Sequence, residues 1–339
     1  MMQTIFNKLL NFENLSFEEA CSLMDTIMEG RATPIQVGGL LTALRMKKET
    51  IDEISGMAYS MRNHAENITP EGDVVDTCGT GGDLSHSFNI STTAAIVASA
   101  SGIKIAKHGN RSVSSLCGCA DLLEELGVNI NLSPLQVEKT INTVGIGFMF
   151  APRFHSAMKY AVMPRKELGI RTIFNILGPL TNPAKAQYQV LGVYNANLTE
   201  TMASVLKKLG SKRALVVHGY DGLDEISISG PTLITELSLN GKITTYDLDP
   251  QKYGLQLAER AAITGGDRKQ NAEITRSVLT GENKGPQRDI TLLNASAAIL
   301  AANKAEDFQE AINITQKAIT SGNAKDKLFE FINYTQKFN

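Results

Sequence analysis

The chain has 339 residues, with 33 lysines and arginines against 35 aspartates and glutamates, so its formal net charge at pH 7 is −2. This balance provides no global excess of positive charge for binding nucleic acid or an anionic membrane, so any anion site must be local. Apolar residues make up 42% of the sequence and charged residues 20%, which excludes a disordered or fibrous chain, and the length allows about two domains.

The cysteines and the N-terminus indicate the compartment. Cys21, Cys78, Cys117 and Cys119 are too few and too unevenly placed for a disulfide framework, which favours a reducing compartment. The last two are separated by one residue and lack the C-x-x-C spacing and the second ligand pair of a zinc site. The N-terminus has no continuous apolar signal segment, and the longest apolar stretch, residues 94–102, is too short to span a bilayer. We therefore expect a cytoplasmic protein with no membrane partner.

The first seventy residues carry only helical signals. Ser16 and Glu19 form a capping box, and Gly30 provides a stop for the helix that begins there. The pair Thr33-Pro34 opens a second helix, because proline suits the first helical position, where its missing N–H would have no partner. A third apolar repeat of helical period covers residues 51–61. These short helices predict an all-α module.

From residue 73 onward the signals alternate between strand and helix. Val74 and Val75 lead into a glycine-rich run, and an alanine-rich helix begins near Asn89. Further strands are predicted over residues 103–106, 145–150, 187–194 and 214–218, with helices over 121–126, from 133, and over 198–209. This alternation predicts a mainly parallel sheet covered by helices.

The last third of the chain adds a hairpin and more helices. A short apolar segment, 226–228, precedes a predicted hairpin that turns at Asn240-Gly241. Helices follow over residues 272–279, 289–302, 307–319 and 326–334.

The predicted fold class is α/β, with a small all-α N-terminal domain and a larger α/β domain. The stretch 163–183 lies between two strand signals and carries glycines and prolines, so we expect part of it to join the helical module. The helical domain is then residues 1–72 with part of 163–183, and the α/β domain is 73–162 and 184–339.

The glycine-rich run Gly79-Thr80-Gly81-Gly82-Asp83 stands between a predicted strand and a predicted helix. Backbone N–H groups can converge on an anion there, because glycine has no Cβ in the way. The run is not a Walker loop, since it has no Gly-Lys-Ser/Thr, and position 84 is not the glycine of a dinucleotide fingerprint. The spacing alone leaves a phosphate site and a structural turn both open.

Two polar clusters follow this run. Asn89, Ser91 and Thr92 lie at a predicted helix N-terminus, which favours an anion, although one of them serving as an N-cap is the alternative. Residues 107–115 place two cations and several hydroxyls just after a strand, where a solvated charged loop is the alternative.

An acidic turn and one arginine complete the candidates. Asp224 and Glu225 come just past the strand that ends at His218, and such paired carboxylates suit Mg²⁺, with surface decoration as the alternative. Arg165 can grip a carboxylate with both arms of its guanidinium, or can pair with a helix neighbour such as Glu167.

Together these clusters imply a ligand with several phosphates, a divalent metal and a second ligand with a carboxylate. The sequence resembles the anthranilate phosphoribosyltransferases over essentially its whole length. The runs that carry the resemblance are DTCGTGGD at 76–83, NIST at 89–92, KHGNR at 107–111, RTIFNILGPLTNP at 171–183 and DGLDE at 221–225.

The resemblance implies transfer of a phosphoribosyl group to the amine of anthranilate, in tryptophan biosynthesis, by a homodimer formed through the helical module. It implies Mg²⁺ as cofactor, Lys107 as an electrostatic catalyst and no side chain as general acid or base. The implied ligands of Mg²⁺ are Ser91, Asp224 and Glu225. The implied contacts of anthranilate are Gly79, Asn110 and Arg165. The implied contacts of phosphoribosyl pyrophosphate are Gly79, Gly82, Asp83, Ser87, Asn89, Ile90, Ser91, Thr92, Lys107, His108, Gly109, Asn110, Arg111, Ser112, Val113, Ser114, Ser115 and Cys119.

The chain departs from the family pattern at three of its residues. Cys119 stands where the family usually has a small residue, often serine, so one hydroxyl to phosphate is lost. Phe154 and Ser156 stand in the run PRFHSAM, 152–158, where the family usually has histidine and proline. We expect Phe154 to line the path of the aromatic acid and to alter its access.

Two other functions stay open at this level. A pyrimidine nucleoside phosphorylase has a similar architecture, but its motifs do not resemble the run from Arg165 to residue 183. A non-catalytic nucleic-acid-binding relative has the basic cluster Lys104, Lys107, His108 and Arg111 as its only support.

Overall fold

The N-terminal module is built from four helices whose starts are encoded locally. The computed structural model describes residues 2–83, 85–112 and 116–338. Its first helices are α1 (Met2–Leu10), α2 (Phe17–Met28), α3 (Pro34–Lys47) and α4 (Ile51–Asn63). Ser16, Thr33 and Thr50 each close a capping box at the start of α2, α3 and α4. Because a capping box needs only residues three apart, the predicted starts of these helices are confirmed.

A buried ion pair joins the ends of these helices. Glu53 and Lys47 have side chains only 0% and 3% exposed, and Lys47 Nζ lies 2.9 Å from Glu53 Oε2. The Glu53 carboxylate also accepts the backbone N–H groups of Leu15 at 2.9 Å and Thr50 at 2.8 Å. One carboxylate therefore fixes the approach to α2, the end of α3 and the start of α4.

We expect Glu53→Gln to lower the free energy of unfolding by about 3 kcal/mol, because it leaves the Lys47 charge buried without its counter-ion. Chemical denaturation of the two proteins measures the difference. Glu330→Gln is the matched control: Glu330 pairs with Lys327 while 48% exposed, and its loss should cost less than about 1 kcal/mol. Equal stability of Glu53→Gln and the wild type would contradict the structural role of this pair.

The sheet has seven strands in the order β3-β2-β1-β4-β5-β6-β7. The strands are β1 (Val75–Gly79), β2 (Ile105–Gly109), β3 (Ile146–Phe150), β4 (Tyr188–Gly192), β5 (Arg213–Gly219), β6 (Thr232–Leu237) and β7 (Ile243–Leu248). The pairs from β3 to β5 are parallel, and β5, β6 and β7 are antiparallel. The predicted mainly parallel sheet and the terminal hairpin are confirmed. The chain winds outward from β1 in both directions, so a crevice opens at the carboxyl ends of β1 and β4.

Helices cover both faces of this sheet. The remaining helices of the described residues are α5 (Ile90–Ala100), α6 (Cys119–Leu126), α7 (Pro134–Val144), α8 (Ala151–Phe154), α9 (Lys159–Leu168), α10 (Phe174–Leu177), α11 (Leu198–Lys208), α12 (Arg268–Leu279), α13 (Pro286–Ala301), α14 (Phe308–Thr320) and α15 (Asn323–Gln336). None of the helices in the described ranges has the length and apolar character needed to cross a bilayer.

Alternation along the strands decides which helices cover which face. Val190, Leu215 and Val217 point into the apolar core that contains α5 and α13. Leu191 and Val216 point into the opposite core, which contains α11 and the N-terminal helices. Successive side chains of a strand face opposite sides, so one sheet separates the C-terminal helices from the helical module.

The segment after β3 packs with the N-terminal helices. Ala161 of α9 and Phe174 and Leu177 of α10 are buried in the same apolar core as α2, α3 and α4. We therefore propose that part of 163–183 joins residues 1–72 in the helical module, as the sequence predicts.

The apolar segment at 226–228 forms no strand, contrary to its position among the strand signals. Ile226 and Ile228 are both 0% exposed. The Asn294 side chain accepts the Ile226 N–H and donates to the Ile226 carbonyl oxygen, each at 2.9 Å. A side-chain amide thus replaces the neighbouring strand that would otherwise satisfy this buried backbone.

Candidate active site

The glycine-rich run and the acidic turn meet at the carboxyl end of β1. The Gly81 N–H donates to Asp224 Oδ2 at 2.7 Å. A Cβ on Gly79 would lie 2.5 Å from that oxygen, and one on Gly192 of β4 would lie 1.6 Å from the Asp224 carbonyl oxygen. Glycine is required at both strand ends because the acidic turn crosses directly over them. Two runs separated by about 140 residues therefore form one site.

Three carboxyl groups crowd together at this point. Asp83 Oδ2 accepts the Asp224 N–H at 3.4 Å. Burial, followed by the charge of Asp83, raises the pKa of Asp224 to about 7. Burial, followed by the charge of Asp224, raises the pKa of Glu225 well above its usual value. The carboxylates thus lie where their negative charge is poorly compensated, unlike those of a solvated surface turn.

Lys107 and His108 lie inside β2, so the strand predicted to end at residue 106 is longer, and the alternative of a solvated loop is not observed for these two residues. The ladder to β3 pairs Lys107 with Phe148 and His108 with Met149, so the strand continues to Gly109. The two side chains are only 3% and 8% exposed. Because neighbouring residues of a strand point to opposite faces, these two polar groups serve different sides of the sheet.

The Lys107 ammonium group contacts both β1 and the start of α5. It donates to the Thr77 carbonyl oxygen at 2.5 Å and to Ser91 Oγ at 3.3 Å. It is also close enough to Glu225 to oppose the rise in that group's pKa. Lys107, Ser91 and the acidic turn, distant in sequence, are therefore one electrostatic unit.

The start of α5 offers polar groups that the helix itself does not use. Asn89 occupies the N-cap position without a side-chain cap hydrogen bond. Its Nδ2 donates to the Cys117 carbonyl oxygen at 3.2 Å. Asn89 Oδ1 and Thr92 Oγ1 are buried and have no hydrogen-bond partner within the described ranges. The alternative of a simple side-chain N-cap is thus not observed, and Ile90, 1% exposed, presents only its backbone.

The loop after β2 is held against α6. The Cys119 thiol donates to the Asn110 carbonyl oxygen at 3.2 Å. The Arg111 guanidinium pairs with Asp121 at 2.8 Å and Glu124 at 2.9 Å, so its charge is already compensated. Asp121 also accepts the Ser112 N–H at 3.2 Å. The candidates Val113, Ser114 and Ser115 lie outside the described residues.

Ser87 lies on the connection between the glycine-rich run and α5. Its Oγ lies 3.1 Å from Ser85 Oγ, and its backbone forms an isolated antiparallel bridge with Thr264. The Ser87 side chain is half-buried and lies with Ser85 in the polar segment just before α5.

A cavity of about 500 Å³ adjoins the glycine-rich run and the end of β2, where Gly79, Thr80 and His108 line it. The three residues predicted to contact anthranilate, Gly79, Asn110 and Arg165, all line it. Sequence reasoning did not assign several other lining residues: His155, Ser156, Met158, Phe174, Asn175 and Thr181. Phe174, Asn175 and Thr181 lie in the run 171–183 that carries the family resemblance, and the other three lie in the run 152–158 that departs from it, so these two runs were the available signal.

Two cationic side chains, Arg165 and Lys159, line the cavity. The Arg165 guanidinium lies 5.0 Å from the Phe174 ring centroid, and burial lowers its pKa. The described residues include no carboxylate paired with it, so the helix-surface ion pair with Glu167 is not observed. The other cation that lines the cavity, Lys159, is exposed and lies 5.0 Å from the Tyr160 ring centroid.

Two histidines face each other in the cavity wall. The ring centroids of His108 and His155 are 5.0 Å apart. Burial lowers the pKa of His155 to about 4, and burial followed by the neighbouring ring lowers the pKa of His108 well below its usual value. Both rings are therefore neutral at pH 7. Their Nε2 atoms are buried without a partner in the described part of the chain.

Phe154 does not line the cavity, which corrects the expectation that it alters access of the aromatic acid. Its side chain is 1% exposed and packs with Ile68 and Val74 in a separate apolar core. Its carbonyl oxygen accepts the Glu66 N–H at 2.9 Å. The short helix α8 turns Phe154 inward, whereas His155 and Ser156 face the cavity.

The basic cluster that favoured nucleic-acid binding does not form a surface. Lys107 and His108 are buried, and Arg111 is paired with two carboxylates. Lys104 donates to the Glu71 carbonyl oxygen at 2.7 Å. Of this cluster only Lys104 keeps a half-exposed charge without a carboxylate partner in the described residues, which does not make a basic surface for a phosphate backbone.

Comparison with known proteins shows the family of the chain. The model of the glycosyl transferase family, a/b domain, matches residues 71–325, and that of its helical bundle domain matches residues 3–65. An anthranilate phosphoribosyltransferase of Acetivibrio thermocellus is 53% identical over 339 residues, which are 100% of this chain and 98% of the relative. The chain belongs to the anthranilate phosphoribosyltransferase family. It is a pentosyl-transferring glycosyltransferase, and the phosphorylase and nucleic-acid-binding alternatives are set aside.

Solved structures of this family share the fold along the whole chain. The anthranilate phosphoribosyltransferase of Thermus thermophilus superposes with a TM-score of 0.93 at 40% identity, covering 98% of this chain and 99% of its own. The enzyme of Saccharomyces cerevisiae, in complex with PRPP and Mg, superposes with a TM-score of 0.91 at 30% identity, covering 99% of this chain and 98% of its own. The fold class predicted from the sequence is thus confirmed.

Proposed function

We propose that the two adjoining parts of the site bind the two substrates of a phosphoribosyl transfer. The enzyme moves the phosphoribosyl group of 5-phosphoribosyl 1-pyrophosphate to the amine of anthranilate, which gives N-(5-phosphoribosyl)anthranilate and pyrophosphate. The observation that carries the assignment is Gly79, which ends β1, contacts the acidic turn and also lines the 500 Å³ cavity. A phosphate site and an aromatic-acid site therefore meet at one strand end.

The test is incubation with phosphoribosyl pyrophosphate, Mg²⁺ and anthranilate, following the loss of anthranilate fluorescence. Consumption that requires all three components supports the proposal. No consumption by the folded protein would contradict it.

The acidic turn fits Mg²⁺ held together with substrate. The described residues contain no group of three or more histidine, cysteine, aspartate or glutamate side chains placed to hold a metal alone. Asp224 and Glu225 are adjacent carboxylates with raised pKa values, and Ser91 lies beside Lys107 in the same cluster. Magnesium characteristically takes one or two carboxylates and completes its shell with water and substrate phosphates. When bound, it would neutralise charge on the pyrophosphate group.

The protein's own groups act on the leaving pyrophosphate. Departure of pyrophosphate leaves oxocarbenium character on the ribose and places negative charge on the leaving group. The Lys107 ammonium, fixed by Thr77 and Ser91, faces that charge from a buried position where electrostatic attraction is strong. The glycine-rich run and the polar start of α5 supply N–H and hydroxyl donors around it.

The attack by anthranilate requires orientation more than proton transfer. The aryl amine is already neutral at pH 7, so no strong base is needed before attack. The neutral imidazoles of His108 and His155 add no charge to the cavity, which leaves the half-buried Arg165 as the cation that binds the carboxylate. Holding the anthranilate ring against Gly79 and Asn110 keeps its amine close to the reacting ribose carbon and correctly oriented for attack.

We expect Arg165→Ala to separate the two substrates. Loss of the charge-assisted contact should weaken the binding free energy of anthranilate by about 1.5–3 kcal/mol, while that of phosphoribosyl pyrophosphate barely changes. Calorimetric titration of each substrate measures this, and Arg153→Ala, an exposed arginine of α8, is the control. Equal weakening of both substrates would show that Arg165 serves a different ligand.

We also propose that the enzyme is a cytoplasmic homodimer that associates through the helical module. Large apolar side chains are exposed on α3 and at and just after the end of α1: Ile35 is 88% exposed, Met46 67%, Leu10 65% and Phe12 63%. Such a concentration on one module is typical of a protein interface.

We expect sedimentation equilibrium to give twice the chain mass, and the double variant Ile35→Asp with Met46→Asp to give the chain mass. The control Leu239→Asp changes an apolar residue that is 52% exposed at the distant hairpin turn and should leave the mass unchanged. A monomeric wild type at micromolar concentration would contradict the proposal.

A further inference from the structure

Arg171 connects the cavity segment with the glycine-rich run, and none of the roles above uses it. It follows α9, the helix that carries Arg165. Its Nη2 donates a short hydrogen bond to the Gly82 carbonyl oxygen, and its Cζ lies 4.3 Å from the Tyr194 ring centroid. The ion pairs of the described residues do not include Arg171. Its guanidinium is therefore committed to a backbone carbonyl and a ring, and not to a carboxylate.

The hydrogen bond to Gly82 fixes the direction of a peptide group. The peptide between Gly82 and Asp83 is trans, so the Gly82 carbonyl and the Asp83 N–H point in opposite directions. Gly82 has a φ of +76°, which glycine adopts without strain. With the carbonyl held by Arg171, the Asp83 N–H must face away from the arginine.

That N–H is one of the donors of the run still available to an anion. The Thr80 N–H donates to the Gly192 carbonyl oxygen at 2.9 Å, and the Gly81 N–H donates to Asp224. Within the described ranges, the N–H groups of Gly82 and Asp83 have no protein acceptor. Consecutive N–H groups in such a turn form a concave anion site.

Tyr194 ties the other side of the arginine to the same run. Its N–H donates to Thr80 Oγ1 at 3.1 Å, so the ring under the guanidinium belongs to a residue bonded to the glycine-rich run. A planar guanidinium can donate to a carbonyl and stack on a ring at once, whereas a lysine ammonium is a point donor.

We propose that Arg171 is a positioning residue for the phosphate half of the reaction. It holds the Gly82 carbonyl outward and so turns the Asp83 N–H toward the pyrophosphate group. This inference rests on the proposed function for the identity of the anion, but its central measurement is binding and not turnover.

The test is calorimetric titration of pyrophosphate with Mg²⁺ into the wild type, Arg171→Met and Arg171→Lys. We expect the Kd of pyrophosphate and the KM of phosphoribosyl pyrophosphate to rise by about tenfold in Arg171→Met, as for one lost hydrogen bond to a charged group. Arg171→Lys should recover only part of this loss. The KM of anthranilate at saturating phosphoribosyl pyrophosphate should stay within about twofold, the opposite of Arg165→Ala.

Two further variants keep the result decisive. Arg276→Met is the matched control, since Arg276 also donates to a backbone carbonyl, that of Glu125 at 3.4 Å, from the exposed face of α12. If Arg171→Met does not fold, Tyr194→Leu is the substitute, because it removes only the ring on which the Arg171 guanidinium stacks. It should raise the Kd of pyrophosphate by about threefold. Unchanged pyrophosphate binding in the folded Arg171 or Tyr194 variant would overturn the inference. Absence of turnover in a wild type that binds pyrophosphate would instead contradict the proposed function.

Discussion

The double variant Asp224→Asn with Glu225→Gln should lose turnover by a factor on the order of 10² or more, because several kcal/mol of stabilisation of the leaving pyrophosphate depend on this pair. The substitutions keep the size of both side chains and leave each with one oxygen that can accept a hydrogen bond, such as the one from the Gly81 N–H. They replace two ionisable carboxyl groups with neutral amides at a place where burial and mutual repulsion already raise both pKa values. The neutral amides are therefore expected to leave the fold intact and even to relieve repulsion.

The measurement is the initial rate at limiting and at saturating Mg²⁺, with thermal unfolding recorded beside it. Glu306→Gln with Asp307→Asn is the matched control, since it neutralises another adjacent acidic pair, at the start of α14, and asparagine can still cap that helix. A double variant at 224 and 225 that keeps near-normal activity at limiting Mg²⁺ would reject the metal role.

Lys107→Met should lower turnover by about 10²–10³-fold, the usual cost of removing one preorganised group that faces charge developing in a transition state. Methionine fills a similar volume in a strand position that is 3% exposed. The lost contacts are those to the Thr77 carbonyl oxygen and Ser91 Oγ. We expect the KM of phosphoribosyl pyrophosphate to rise as well, because the charge also acts on the bound substrate.

Lys104→Met separates this effect from a general loss of positive charge. Lys104 lies just before β2 and, within the described residues, its ammonium group donates to the Glu71 carbonyl oxygen. Its replacement should leave kcat and both KM values within about twofold. If the two lysine variants behaved alike, with normal unfolding temperatures, Lys107 would have no electrostatic role.

Patterns read within a few residues predicted most of the secondary structure. The starts of α2, α3 and α7 follow from capping boxes, and Gly127 ends α6 in the left-handed conformation. Gly145, predicted as the first residue of a strand, instead ends α7 in the same conformation. These features depend on hydrogen bonds and φ values within one turn of helix. The local sequence contains everything that such a feature requires.

The motif residues were also recognisable without a structure, and the geometry brings most of them together. Gly79, Asp224 and Lys107 come from three separate runs and form one site. Gly79 ends β1, Asp224 lies directly over that strand end, and Lys107 of the neighbouring β2 contacts Thr77 of β1. The order of strands in a parallel sheet makes that convergence predictable in outline.

The sequence by itself determined which elements form and which residues carry the chemistry, because capping, glycine conformation and strand alternation are local properties. Only the tertiary structure decided where those residues point. Strand pairing with β3 extended β2 through Lys107 and His108 and sent them to opposite faces of the sheet. Packing buried Phe154 away from the cavity, and a contact across 89 residues placed Arg171 on Gly82. Each of these outcomes depends on a partner distant in the chain, and no local pattern specifies which partner arrives there.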